Sequence, residues 1–191
     1  MKKILTSICT VLIFITVTNS QPKIDSTYKL KESTFYDGDS NTVFRTGLVI
    51  RTRSGNFYQI TDNASFKNAT RNPSVKVYKQ GEKKYQLVIK GIDIPIAAKI
   101  IDVAFETNVN GIFKGWNGNS QFKLLNGETW QQWQGEESLY TYLLQPKVII
   151  YRDELEYKMQ VEGINKTIRV VKISKPIQIV HGVAIAYEAG W

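Results

Sequence analysis

The stretch from Tyr157 to Asn165, YKMQVEGIN, repeats the stretch from Tyr85 to Asp93, YQLVIKGID. A second matching pair precedes them, because PSVKVYK begins at Pro73 and PKVIIYR begins at Pro146. Internal repetition of this kind indicates one structural unit that is present twice. The sequence therefore predicts two related units in tandem.

The limits of the two repeats follow from the alignment. Gly55 aligns with Gly127, and Tyr58-Gln59 then falls on Trp130-Gln131. The residues from 102 to 105 are too few for a flexible linker. We expect a signal peptide at 1–20, an N-terminal segment at 21–32, repeat 1 at 33–101, repeat 2 at 106–173 and a C-terminal strand or tail at 174–191.

Apolar and polar side chains alternate within each copy. Tyr157, Met159 and Val161 are separated by polar residues, and the stretch from Tyr85 to Ile89 places apolar residues at the same positions. A period of two is typical of a β-strand with one buried face. No stretch shows apolar residues at helical spacing after a capping residue. We therefore predict many strands and little helix.

Asn126-Gly127 is a strong hairpin signal, because glycine adopts positive φ without steric cost. A two-residue loop would place Trp130 opposite Lys123, whereas a three-residue loop places it opposite Phe122. The buried face determines the register of a strand, so we choose the three-residue loop. Trp130 is then a core residue.

Each copy offers five or six short strands in about 70 residues, joined by tight turns. The equivalent loop in the first copy places Tyr58 opposite Ile50. Closing such a sheet removes its exposed edges. We expect an all-β protein of two tandem small β-barrels, SH3-like or OB-like, with an extra C-terminal strand.

The N-terminus has the pattern of a secretory signal peptide. Lys2 and Lys3 precede an apolar run from Ile4 to Val17, and Ser20 is a small residue at the expected cleavage site. The run is shorter than the roughly 20 apolar residues of a spanning helix, and no later stretch is long enough. Cys9 is the single cysteine and lies in this segment. We expect a secreted or periplasmic mature chain with no disulfide and no transmembrane segment.

The formal charge is +8, and it falls to +6 once the two lysines of the signal peptide are removed. Basic residues are spread along the chain and interleaved with acidic ones. A moderate, dispersed excess favours solubility and weak attraction to anionic surfaces over a dedicated nucleic-acid site. Nucleic acid is therefore not the partner that we expect.

Residues of common catalytic and metal sites are scarce. His181 is the single histidine and lies in the apolar tail, which argues against a nucleophilic triad or a zinc site. The acidic turn from Asp37 to Asn41 lacks the distal acid of a calcium loop. We therefore predict no enzyme, no metal and no cofactor. Glycoside hydrolysis needs only two carboxylates, and the acids available in loops are Glu128, Glu136, Glu137, Asp153 and Glu154.

Aromatic residues make up 12% of the chain and concentrate in the second repeat, which directs the search for a binding site there. Exposed rings near turns stack on sugar rings or on apolar groups of a partner, and amides fix the orientation. Packing between the units or at barrel ends is the alternative. The candidate ligand-binding residues are Trp116, Asn117, Gln131, Trp133, Tyr140 and Tyr142.

The second repeat resembles a small SH3/OB-like β-barrel domain of bacterial proteins. The resemblance covers about 111–173 and depends on GIFKGWNG from Gly111, NGETWQQ from Asn126 and YKMQVEG from Tyr157. The first repeat is more divergent, with Tyr58 in place of Trp130 and no Gly-Trp pair. That family carries no assigned activity, so the resemblance implies a fold and a bacterial source without a mechanism.

Export, tandem units and missing catalytic groups together favour a non-catalytic binding or interaction module of the bacterial envelope or secreted space. Its partner would be a glycan or a protein of the envelope. Three alternatives remain open: a single-stranded nucleic-acid binder, a carboxylate-dependent glycoside hydrolase, and a structural spacer or assembly subunit. A steep loss of binding between low and moderate salt would favour nucleic acid.

Overall fold

A computed structural model describes residues 22–37, 42–63, 65–67, 70–135, 137–173, 179–180 and 183–184. Every regular element in these ranges is a β-strand, which confirms the predicted all-β class. No helix of the described part is long and apolar enough to cross a membrane. The expected signal peptide, residues 38–41 of the acidic turn, Glu136 and His181 lie outside the described residues.

The first unit comprises residues 29–101. Its described strands are β1 (Lys29–Phe35), β2 (Val43–Phe44), β3 (Val49–Arg51), β4 (Phe57–Ile60), β5 (Phe66–Lys67), β6 (Ser74–Gln80), β7 (Lys84–Ile89) and β8 (Ile96–Ile101). β1 begins four residues before the expected start of the repeat at Ser33.

The second unit comprises residues 104–173, and only Asp102 and Val103 separate it from β8. Its described strands are β9 (Ala104–Asn108), β10 (Ile112–Trp116), β11 (Gln121–Lys123), β12 (Thr129–Gln132), β13 (Leu139–Leu144), β14 (Lys147–Asp153), β15 (Glu156–Val161) and β16 (Thr167–Lys172). β17 (Ile179–Val180) and β18 (Val183–Ala184) follow it.

The two units have the same topology. The first six-stranded sheet has the order β1-β6-β7-β8-β4-β3, and the second has the equivalent order β9-β14-β15-β16-β12-β11. Each unit adds a two-stranded antiparallel ribbon at the same place in the chain, β2 with β5 and β10 with β13. This agreement supports the tandem of two related units, while duplication of the chain itself stays a prediction.

Neither six-stranded sheet closes through a full ladder of hydrogen bonds. In the described residues the two edges of each sheet meet at one antiparallel bridge, Tyr36 with Thr52 in the first unit and Val109 with Leu124 in the second. The predicted closed barrel is therefore a curled sheet whose edges touch at one point. The expected C-terminal strand also differs, since β17 pairs with β18 and with neither six-stranded sheet within the described ranges.

The predicted register and core are confirmed. Phe122 lies opposite Trp130, and Ile50 lies opposite Tyr58, as the three-residue loop requires. Alternate residues of β7 and β15 point into two separate apolar cores. Fully buried members of these strands include Leu87, Ile89 and Met159. Side-chain alternation along the sequence therefore positions the interior of both units correctly.

A third apolar cluster joins the two units. Its buried residues are Val49, Phe57 and Ile101 of the first unit and Ile149 and Tyr151 of the second.

The side-chain amide of Gln160 extends this contact, because it donates to the backbone carbonyl of Val49 and accepts from the backbone N–H of the same residue, each at 2.8 Å. Such a buried amide would be costly without both partners. The pairing therefore fixes how the units are docked.

Candidate functional site

The outer face of the β10–β13 ribbon is an exposed apolar surface, which we call the ribbon face. It contains Tyr140, Tyr142 and Leu144, alternate residues of β13 that are 81%, 74% and 80% exposed. Ile112 of β10 lies directly opposite Leu144 and is 58% exposed. Large apolar side chains that share one exposed surface mark an interaction site more often than isolated ones do. Two of the predicted site residues, Tyr140 and Tyr142, lie here.

The prediction that Trp116 is an exposed ring is wrong. The pairing of β10 with β13 shifts register between Phe113 and Gly115, where β13 carries one extra residue, and both Gly115 and Trp116 are buried. The indole packs at 5.9 Å from the ring of Phe113, and its Nε1 donates to the carbonyl of Glu137 at 2.9 Å. Trp116 therefore supports the ribbon from inside and offers no ring to a ligand.

Of the two predicted amides, Asn117 follows β10 in a turn and Gln131 belongs to β12. Asn117 accepts a hydrogen bond from the hydroxyl of Ser120, and the side chain of Gln131 donates to Asn119. Both amides are thus engaged in holding the connection between β10 and β11.

Trp133 is next to a cation. It follows β12 and is about half exposed, and the guanidinium of Arg169 stands 5.9 Å from its ring. Within the described residues no ring contact joins Trp133 to Tyr140 or Tyr142. The six predicted residues therefore do not form one site: Trp116 is in the core, Asn117 is in a turn, Gln131 is in β12, Trp133 is next to Arg169, and Tyr140 and Tyr142 are on the ribbon face.

Three of the candidate loop acids are held in the ionised form. Burial raises the pKa of Asp153, but hydrogen bonds from Lys158 and Lys99 outweigh it and leave the pKa below its ordinary value. The same balance, with Lys172 and Trp130 as donors, lowers the pKa of Glu128.

Glu137 is exposed, and its hydrogen bond with Lys166 lowers its pKa. A general acid in glycoside hydrolysis needs a raised pKa instead. Among the described residues, no group of three or more histidine, cysteine, aspartate or glutamate side chains could hold a metal ion.

A cleft between the units is a feature that the sequence analysis missed. It has a volume of about 350 Å³ and receives Arg45 and Arg51 from the first unit and Glu106, Lys147 and Gln160 from the second. These residues are far apart in sequence and belong to no motif. Only the docking of the two units brings them together.

No protein-family model, curated protein or solved structure matches this chain. The resemblance to an SH3/OB-like barrel domain of bacterial proteins therefore stays a prediction. The function of the protein has to be argued from the ribbon face, the cleft and the charges around them.

Proposed function

We propose that the protein is a non-catalytic binding module of the bacterial envelope or secreted space, released after signal-peptide cleavage near Ser20. The ribbon face binds an extended segment of a partner protein. The observation that carries this proposal is the exposure of Tyr140, Tyr142 and Leu144 on one side of one strand. Tyrosine supplies large contact area at a low entropic cost, since few bonds become fixed when it binds.

The composition of the ribbon face favours a protein partner over a glycan. Leu144 and Ile112 offer neither a flat ring nor a hydrogen bond to a sugar, whereas apolar side chains of a protein pack well against them. The amides of Asn117 and Gln131 are engaged in the neighbouring turn. Lys114 is exposed two residues after Ile112, which suits a partner that carries an acidic residue.

An open strand edge accompanies the ribbon face. Within the described ranges β13 pairs with β10 alone, so its other edge has no neighbouring strand. An extended peptide that adds to such an edge forms backbone hydrogen bonds, while alternate side chains meet the exposed face. Residues of β13 on one face repeat every two positions, or about 6.8 Å. The partner segment is therefore expected to place apolar side chains at alternate positions.

Site-specific photo-crosslinking tests this proposal. A photoreactive phenylalanine derivative replaces Tyr142 in the chain from Gln21 onward, and the protein is irradiated in a bacterial envelope extract. Leu155 provides the matched control, because it is 95% exposed but lies in the turn between β14 and β15. Mass spectrometry identifies the cross-linked segment, which is then synthesised and titrated against the protein.

We expect a cross-link from position 142 to one extended protein segment and none from position 155. Tyr140→Ser with Tyr142→Ser should weaken the titrated affinity at least tenfold, and Leu155→Ser should leave it unchanged. Equal capture from both positions would contradict the proposal. Displacement by an oligosaccharide would make the ligand a glycan, and a steep salt dependence would make it nucleic acid.

A further inference from the structure

Arg45 forms part of the wall of the cleft between the units and is incompletely satisfied. Its Nη1 donates to the backbone carbonyl of Thr46 at 3.2 Å. Its Nε and Nη2 atoms are buried, and in the described part of the chain neither has a hydrogen-bond acceptor. Burial lowers the pKa of Arg45, so the protein holds this cation where its charge is unfavourable.

The two unpartnered nitrogens have a specific geometry. The hydrogens on Nε and Nη2 point from the same edge of the planar guanidinium group, while Nη1 belongs to the opposite side. This edge is complementary to two oxygens of one carboxylate or phosphate group, which accept two parallel hydrogen bonds. Arg45 thus presents a bidentate donor edge, with its third nitrogen anchored on Thr46.

The other charges of the cleft leave Arg45 uncompensated. Glu106 lies between two cations, 3.6 Å from Arg51 and 3.8 Å from Lys147. Asp37 and Glu162 also line the cleft, but no described acid forms an ion pair with Arg45. Among the described residues, two cations therefore share the carboxylate of Glu106, and Arg45 has no carboxylate within contact distance.

The size and the floor of the cleft suit a small ligand. Its volume of about 350 Å³ falls in the range of roughly 300–1,000 Å³ that ligand pockets occupy. Val49 and Ile149, both buried, supply apolar surface at the junction of the units. Water alone would need about twelve molecules to fill this space, at about 30 Å³ each.

We propose that the cleft between the two units binds an oxyanion group, carboxylate or phosphate, through the Nε and Nη2 edge of Arg45, with Arg51 and Lys147 adding positive charge. This site is separate from the ribbon face and does not depend on it. It needs both units, because Arg45 comes from the first and Lys147 from the second.

Nuclear magnetic resonance of the ¹⁵N-labelled chain from Gln21 onward tests the site through the Nε–H signal of Arg45. Sodium glucuronate is the carboxylate probe, glucose is its neutral control, and inorganic phosphate is the second oxyanion. Arg45→Lys identifies the signal and keeps the charge while removing the two-donor edge. Arg53→Lys is the control substitution, since Arg53 contacts the ring of Phe35 and does not line the cleft.

We expect glucuronate or phosphate to shift the Nε–H signal of Arg45 saturably, and glucose to leave it unchanged. The oxyanion that binds more tightly, carboxylate or phosphate, identifies the class of ligand. Arg45→Lys should weaken binding at least tenfold, measured from the backbone signal of Gly163 in the cleft wall. Arg53→Lys should bind as the unsubstituted chain does.

Glu106→Gln should change oxyanion affinity in the opposite direction to Arg45→Lys, and it leaves Arg45 in place. Removing this carboxylate frees the charges of Arg51 and Lys147 for the ligand, so oxyanion binding should become several-fold tighter. The proposal is overturned if neither oxyanion shifts the signal up to tens of millimolar. It is also overturned if Arg45→Lys binds unchanged or if Glu106→Gln weakens binding.

Discussion

Trp130 and Trp133 lie three residues apart and have opposite environments. Trp130 is buried, packs at 5.1 Å from the ring of Tyr157, and donates from Nε1 to Glu128 at 2.9 Å. Trp133 is about half exposed and contacts Arg169. Trp130→Ala should lower the free energy of unfolding by about 3–5 kcal/mol, because it leaves a cavity and removes the hydrogen bond to Glu128. Trp133→Ala should cost less than about 1 kcal/mol, as surface changes do. Urea denaturation followed by circular dichroism measures both, and equal losses would contradict the assigned register.

The ion pairs of Asp153 should make the docking of the two units sensitive to acid. It belongs to the second unit and is 2.6 Å from Nζ of Lys99 in the first. Its folded-state pKa lies below its ordinary value, since burial is outweighed by the lysine hydrogen bonds. Its contribution to the free energy of unfolding is therefore complete above its pKa in the unfolded chain, about 3.9. This contribution is lost as the pH falls through its pKa in the folded protein.

We expect Asp153→Asn to remove about 1 kcal/mol or less of stability at pH 7, because the lysines are partly exposed. The difference in free energy of unfolding between the variant and the unsubstituted chain should become smaller as the pH falls from 5 to 2. Urea titrations across that pH range measure it. A difference that stays constant down to pH 2 would show that the ion pairs contribute nothing.

At the scale of the element, Gly115 determines the form of the ribbon. Its φ is +85°, and an added Cβ would stand 1.9 Å from the carbonyl oxygen of Leu139 on the paired strand. Gly115→Ala therefore meets both an unfavourable backbone conformation and a clash with backbone. Gly118 has φ +95° but nothing within 4 Å of the equivalent position, which makes Gly118→Ala the matched control.

We expect Gly118→Ala to cost about 1–2 kcal/mol, the usual penalty of a left-handed conformation. Gly115→Ala should cost clearly more and should expose Trp116, which red-shifts its fluorescence. Similar costs for both variants would mean that the ribbon lacks the irregularity between Phe113 and Gly115.

The same irregularity shows where sequence reasoning succeeds and where it stops. Strict alternation identifies Met159 and Leu87 as core residues, and the hairpin signal places Trp130 opposite Phe122, because both depend on regular pairing. One extra residue in β13, at the point where β10 passes from Phe113 to Gly115, breaks the alternation, and Trp116 is buried. A glycine inside a strand is the available signal, since it often marks a bulge.

The ribbon face and the cleft differ in how far the sequence predicts them. Tyr140 and Tyr142 are local, alternate residues of one strand, so their shared face follows from the period of two. Arg45 and Lys147 line one cleft only because the two units dock, in part through the contact of Val49 with Gln160, 111 positions away. No local pattern encodes that docking.

At the scale of the whole molecule, the apolar docking surface of the first unit has no apolar counterpart on the second. The first unit docks through apolar Val49 and Phe57, whereas the aligned positions of the second unit are Gln121 and Thr129. Terminal units of repeat proteins likewise carry polar outer faces, which keep the protein soluble. We therefore expect the chain from Gln21 onward to be a monomer in light scattering at micromolar concentration. A defined dimer or a ladder of larger species would favour the assembly subunit instead.

A crystal structure of the chain from Gln21 to Trp191 would test the tandem arrangement most directly. Residues 74–101 should superimpose on 147–173, the amide of Gln160 should pair with the backbone of Val49, and Tyr140 and Tyr142 should be exposed. Units of different topology, or units that do not touch at Gln160, would contradict it.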